Sequence, residues 1–119
     1  MTHIISVAGL VATTPRHIIT QDGLPITSFR LASNIITEPN NEKATNWYTV
    51  TAFKTLAINV NTSINKGDRI VVTGSLVIRD WDNGERTGTS VELVASSIGH
   101  DLAWGTSVFT RTVLVQDTK

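Results

Sequence analysis

None of the 119 residues is a cysteine. This excludes disulfides, thiolate metal sites and cysteine nucleophiles, and it is compatible with a reducing cytosol. Net charge is missing too: ten basic and ten acidic side chains cancel. That balance argues against binding polyanions by bulk charge alone, although local arrangement still sets the field in a groove. Long apolar runs are absent. Nothing approaches the ~20 residues of a membrane helix. The run Ile4–Ala12 has no basic residue before it, and Thr13-Thr14-Pro15-Arg16 is a poor cleavage site, so it reads as a strand ending in a turn. The expectation is a cytoplasmic protein with no membrane partner.

Catalytic signatures are equally scarce. His3, His17 and His100 show no metal-ligand spacing, and there is no nucleophile elbow or phosphate loop. Ser97, His100 and Asp101 are close in sequence, but a triad is a spatial arrangement and such proximity arises by chance. Asp80 and Asp82 flank Trp81, where a solvated hairpin tip explains them better than a bound cation. No enzyme, metal or cofactor is expected.

What is present is strand pattern. Three stretches, His3–Thr13, Leu24–Ile36 and Asn46–Lys54, are rich in β-branched and aromatic residues and bounded by turn formers. Gly9 inside the first suggests a bulge or tight bend. Between the second and third, Thr37–Thr45 is polar, contains Pro39, and reads as a long hairpin loop. The period then changes: Leu56, Val60 and Ile64 recur at intervals of four, one stripe of a short helix, with Asn65-Lys66-Gly67 as a cationic last turn and glycine cap. A fourth strand spans Asp68–Trp81, and Asp82-Asn83-Gly84 turns the chain into a fifth, Thr87–Ile98. A further strand-like run lies around Thr106–Val115. Five strands with one short helix between the third and fourth is the element order of an OB-fold, a Greek-key barrel. Another five-stranded barrel, or a sandwich with a helical insertion, shares that order. The all-β domain is placed at residues 1–100, and 101–119 form a C-terminal extension.

Alternation then separates inside from outside. In the fourth strand Ile70, Val72, Gly74, Leu76 and Ile78 form an apolar set, so Arg79 and Trp81 belong to the outer face. In the second, Phe29 and Leu31 are core members and Arg30 faces out. In the third, Tyr48, Val50 and Ala52 point in, leaving Trp47, Thr49, Thr51 and Phe53 on the wet side. Lys54 and the hairpin-tip Arg86 fall nearby. Aromatics with guanidinium groups between them suit single-stranded nucleic acid: each base has a flat π-face, stacking on a side chain contributes roughly 1–3 kcal/mol per base, and cations neutralise phosphates. The competing reading is that these aromatics cover a protein interface.

The ordered set Trp47-Tyr48-Thr49-Val50-Thr51-Ala52-Phe53, Leu56-Ala57 and Lys66-Gly67-Asp68-Arg69-Ile70-Val71-Val72-Thr73-Gly74-Ser75-Leu76 resembles bacterial single-stranded DNA-binding proteins. Val7-Ala8-Gly9-Leu10, Thr14-Pro15 and Phe29-Arg30-Leu31-Ala32 agree with the same family, over roughly residues 3–100. The resemblance implies an OB-fold homotetramer that binds single-stranded DNA, associated with the nucleoid, in replication, recombination and repair. It implies base stacking at Trp47, Phe53 and Trp81. Arg30, Lys54, Arg79 and Arg86, with Thr49 and Thr51, are the expected phosphate and polar contacts. Two positions depart from the pattern. Ile35-Ile36-Thr37 stands where an aromatic is common, and Val77 where arginine is common, which implies weaker affinity. Family members typically end in an acidic tail closing in Pro-Phe that recruits partner proteins. Here the last residues are Val115-Gln116-Asp117-Thr118-Lys119, which fits either a truncated chain or a paralogue without that recruiting function, and leaves tail-mediated partner proteins doubtful. Some members add a C-terminal strand that clasps a neighbouring subunit, a role that would make Trp104 and Phe109 interface anchors.

Overall fold

A computed structural model describes residues 3–37 and 42–112. Strands β1 (His3–Val11), β2 (Arg16–Ile19), β3 (Pro25–Thr37) and β4 (Glu42–Phe53) lead into α1 (Lys54–Ser63), followed by β5 (Arg69–Asp82) and β6 (Thr87–His100). The sheet order is β1-β5-β6-β4-β3-β2, and β1 also pairs with β3 through Leu10–Ala32 and Val11–Leu31. That additional pairing closes β1, β5, β6, β4 and β3 into the five-stranded ring of an OB-fold, with β2 attached to β3 alone. The β4–β6 contact is the one parallel pairing among the described residues.

Alternation accounts for the core. Val7 and Val11 of β1, Phe29 and Leu31 of β3, Val50 and Ala52 of β4, Ile70 and Val72 of β5 and Leu93 of β6 are buried together. Each large aliphatic or aromatic side chain removed from water contributes roughly 1.5–3 kcal/mol. Helix α1 packs against this cluster with Ala57 and Val60, and Ile64 follows at its C-cap. A buried hydroxyl ties the helix down: Thr27 Oγ1 donates to the Ala57 carbonyl at 2.7 Å and lies 2.7 Å from His17 Nδ1. With its hydrogen already committed, the hydroxyl receives the Nδ1–H of His17, which fixes the ring tautomer.

Two glycines set the barrel's curvature. A Cβ on Gly9 would run into the Ala32 carbonyl where β1 crosses to β3, and one on Gly74 would collide with the Val94 carbonyl. At Gly74 the β5–β6 register jumps from Thr73–Ser97 to Gly74–Ala95, so Ser96 is the extra residue of a bulge, and its Oγ donates to the Thr73 carbonyl at 3.1 Å. Bulges bend and twist the strand that carries them.

The structure corrects several expectations. Strand β2 is additional; its Arg-His-Ile-Ile is short, pairs on one side only and leaves Ile18 and Ile19 exposed, so no alternation marks it. Of the polar segment 37–45, expected as a long hairpin loop, Thr37 and residues 42–45 are strand, and 38–41 lie outside the described residues. β3 runs to Thr37 and β4 begins at Glu42, because an exposed ladder beyond the barrel needs no apolar alternation. Helix α1 starts at Lys54 and ends at Ser63, with no basic residue in its last turn. Lys66 and Gly67 belong instead to the turn into β5, where Gly67 has φ +97° and donates to the Val11 carbonyl at 2.8 Å. Ile78, expected inside, is 60% exposed, because β5 has left the barrel by that point. Residues 106–112 form no strand, and 113–115 lie outside the described residues.

Candidate nucleic-acid interface

The outward row of β4 is Trp47, Thr49, Thr51 and Phe53. Pairing places Ala32, Arg30, Ser28 and Ile26 of β3 beside it, residue for residue. On its other side Thr49 is in register with Glu92 and Thr51 with Val94 of β6. Glu92 in turn faces Val77 of β5, and the same face continues through Arg79–Ser90 to Trp81–Gly88. Strands β3, β4, β6 and β5 therefore present Arg30, Trp47, Thr49, Thr51, Phe53, Arg79 and Trp81 on one continuous outward surface, as alternation predicts. Since β4 and β6 are parallel, Trp81 lies toward the Trp47 end, and Phe53 closes the other end. Six residues at about 3.3 Å each separate Trp47 from Phe53 by ~20 Å. Thr49 and Thr51 thus line a long polar stretch between the two rings.

Each aromatic has a distinct support. Trp47, 48% exposed, carries the Arg30 guanidinium 5.3 Å from its ring centroid, a cation–π contact. Trp81 lies across Gly88: a Cβ there would meet the indole at Cζ2, Cε2 and Nε1. Phe53, 37% exposed, ends β4 opposite Ile26. Between the aromatics the field is mixed. Arg79 Nε donates to Glu92 Oε1 at 3.2 Å, so one platform cation already has a counter-ion. Arg86 sits in the hairpin tip, where Asn83 Oδ1 accepts its backbone N–H at 2.8 Å.

Sequence comparison now bears on this surface. The profile of the Single-strand binding protein family matches residues 2–101. The chain belongs to that family. It is 47% identical over 112 residues to Single-stranded DNA-binding protein 2 of Tropheryma whipplei, covering 90% of this chain and 74% of that protein. Single-stranded DNA-binding protein 1 of Streptomyces coelicolor is 39% identical over 113 residues, covering 91% and 72%. Among solved structures, the small single-stranded DNA-binding protein of Streptomyces coelicolor superposes with a TM-score of 0.77 at 37% identity, over 88% of this chain and 99% of that one. The second single-stranded DNA-binding protein of Mycobacterium smegmatis gives 0.74 at 28% identity, over 93% and 100%.

Two features of this family member's surface escaped sequence reasoning. Glu92 was legible only as an outward residue of β6, and its place between Thr49 and Val77 needed the register. Gly88 had a signal, a glycine opposite a tryptophan across a hairpin, that turn counting from Asp82-Asn83-Gly84 would have found.

The C-terminal residues stand apart from the platform. Trp104 lies on the Arg69 guanidinium, 4.3 Å from ring centroid to Cζ, yet remains 65% exposed. His100 bonds neither Ser97 nor Asp101. Its Nε2 is 3.3 Å from Asp68 Oδ2 and its Nδ1 is 2.8 Å from Ser107 Oγ, which pins the outgoing chain to the start of β5. Phe109 is 84% exposed. No helix among the described residues is long and apolar enough to cross a membrane. No group of three or more His, Cys, Asp or Glu among them could hold a metal ion.

Proposed function

We propose that the protein binds single-stranded DNA without sequence preference. Bases stack on Trp47, Trp81 and Phe53, and phosphates are met by Arg30, Lys54, Arg79 and Arg86, with Thr49 and Thr51 as polar contacts between. The observation that carries this is the single outward face on which four strands align three exposed aromatics with Arg30 and Arg79. Protection of single strands in replication, recombination and repair, in the cytoplasm at the nucleoid, follows as the role of such a protein. Binding proteins of this kind do no chemistry on their ligand, and we assign no catalytic residue.

Oligomerisation is part of the same proposal. The protein assembles as a homotetramer, and the segment after residue 100 contributes Trp104 and Phe109 to a neighbouring subunit. Exposure of both rings in the single chain supports this.

Titration with oligo-dT tests the reading, because stacking quenches tryptophan fluorescence. Saturable quenching that is lost in the Trp47→Ala, Trp81→Ala pair supports it. No quenching at micromolar protein would favour a protein-interaction surface instead, and a double variant that binds as tightly as the parent would refute the residue assignment. Light scattering on Trp104→Ala checks the assembly: an unchanged mass removes Trp104 from the interface.

A further inference from the structure

Three local rules are broken together where β4 passes into α1. Lys54 has φ +62°, and it is the one non-glycine residue with positive φ among the described residues. An L side chain enters that region at a cost. Lys54 is also the first helical residue, a cation where the macrodipole favours anions, with no acidic residue in the first turn to offset it. The N-cap before it is Phe53, which makes no side-chain capping bond at a position usually held by Ser, Thr, Asp or Asn.

The geometry explains why the strain falls on this residue. Phe53 stays extended, at φ −125° and ψ 156°, which keeps it in the outward row of β4. Four residues later Ala57 must be in the core. The whole change of direction is absorbed at position 54, where glycine would be relaxed. A lysine there is a local inconsistency of the kind that gathers at functional sites. Its charge is also uncommitted. Arg30 lies on Trp47 and Arg79 is paired with Glu92, whereas no ion pair among the described residues includes Lys54.

Resting on the function proposed above, we infer that Lys54 is retained for its charge at the expense of stability. It supplies the phosphate contact that ends the platform beside Phe53. Two substitutions separate strain from charge. Lys54→Gly removes both: Tm should rise by about 3–6 °C, while the slope of log K against log salt, for an oligo-dT short enough to occupy one subunit, falls in magnitude by about 0.7, one single-strand phosphate contact. Lys54→Gln removes the charge and keeps the backbone strain, so it should show the same loss of slope without that rise in Tm. Lys66→Gln removes a cation from the turn before β5, away from the platform, and should leave the slope unchanged. A glycine variant that fails to gain Tm, or gains it with an unaltered slope while the parent binds, overturns this inference alone. A parent that does not bind oligo-dT overturns the functional reading and this inference with it.

Discussion

Glu92 offers a test in which removing a group should improve binding. Its carboxylate sits in the middle of the aromatic face, in register with Thr49 and Val77, 3.2 Å from Arg79 Nε. Side-chain exposure is 32% for Glu92 and 66% for Arg79, so the pair is wet and contributes about 0.2–1 kcal/mol to the free protein. A phosphate approaching Arg79 competes with that pairing and meets the carboxylate as a like charge. At ~7 Å in a water-like dielectric the repulsion is about 0.6 kcal/mol, and physiological salt screens away roughly half of it. Together these terms place Glu92→Gln at about 0.5–1.5 kcal/mol tighter binding, a 2- to 10-fold gain, with the cost of the lost pair confined to the unbound state. The assay is oligo-dT titration by tryptophan quenching at low and high salt, with the larger gain at low salt. Freed from its counter-ion, Arg79 should also steepen the salt slope by up to ~0.7. Equal or weaker binding by the glutamine variant would refute the argument, since it would mean that Glu92 orients Arg79 for the phosphate.

Gly88→Ala should push the Trp81 indole off its seat, because the new methyl occupies the ring's position. Binding is expected to weaken by roughly 3- to 10-fold, part of one stacking contribution, while thermal melting of the barrel barely changes. Gly74→Ala is the converse case. Its Cβ would meet the backbone carbonyl of Val94 in the buried bulge; a loss of about 1–3 kcal/mol in urea unfolding is expected. Four platform cations bound the salt slope for an oligo-dT short enough to occupy one subunit: at ~0.7 each it cannot exceed about 3, and the Arg79–Glu92 pair lowers it further. A slope of 5 or more would show that cations outside this face contact the strand.

How much of this was legible in the sequence depended on whether a residue's neighbours were local. The outward row of β4 could be read directly, because period 2 over Trp47–Phe53 needs only one strand and a buried face. That β3 and β5 share an outward face with β4 was inferred from each strand's own alternation; that β6 joins them between β4 and β5 came only from the register. What sequence could not supply was cross-strand identity. Arg30 over Trp47, Arg79 against Glu92 and Trp81 across Gly88 all depend on which residue pairs with which, and the bulge at Ser96 shifts that count by one. Ile78 failed for a related reason. Period fixes which side a residue faces, but the barrel ends before the strand does, so an inward side chain near the hairpin tip meets solvent. The helix start failed because Lys54 defies every signal by which helix starts are recognised.

The division along β5 explains how a neutral chain can carry a polyanion site. From Ile70 to Gly74 the strand is held by burial, and from Arg79 to Asp82 it is held by pairing with β6 and by polar contacts such as Thr89 Oγ1 donating to Asp80 Oδ1 at 3.0 Å. Hydrogen-bonded ladder thus carries order past the hydrophobic core, where side chains are released from packing and are free to be chosen for a ligand. The freedom has a visible cost in the exposed Ile78, and it leaves Trp81 and Arg79 on the outer face, where the proposed function uses them. Charge is handled the same way: instead of a net excess, the chain places two of its six arginines on the aromatic face and moderates each locally, Arg30 by the Trp47 ring and Arg79 by Glu92. Such a surface holds a strand whose bases are unpaired more tightly than a duplex, whose bases offer no free faces.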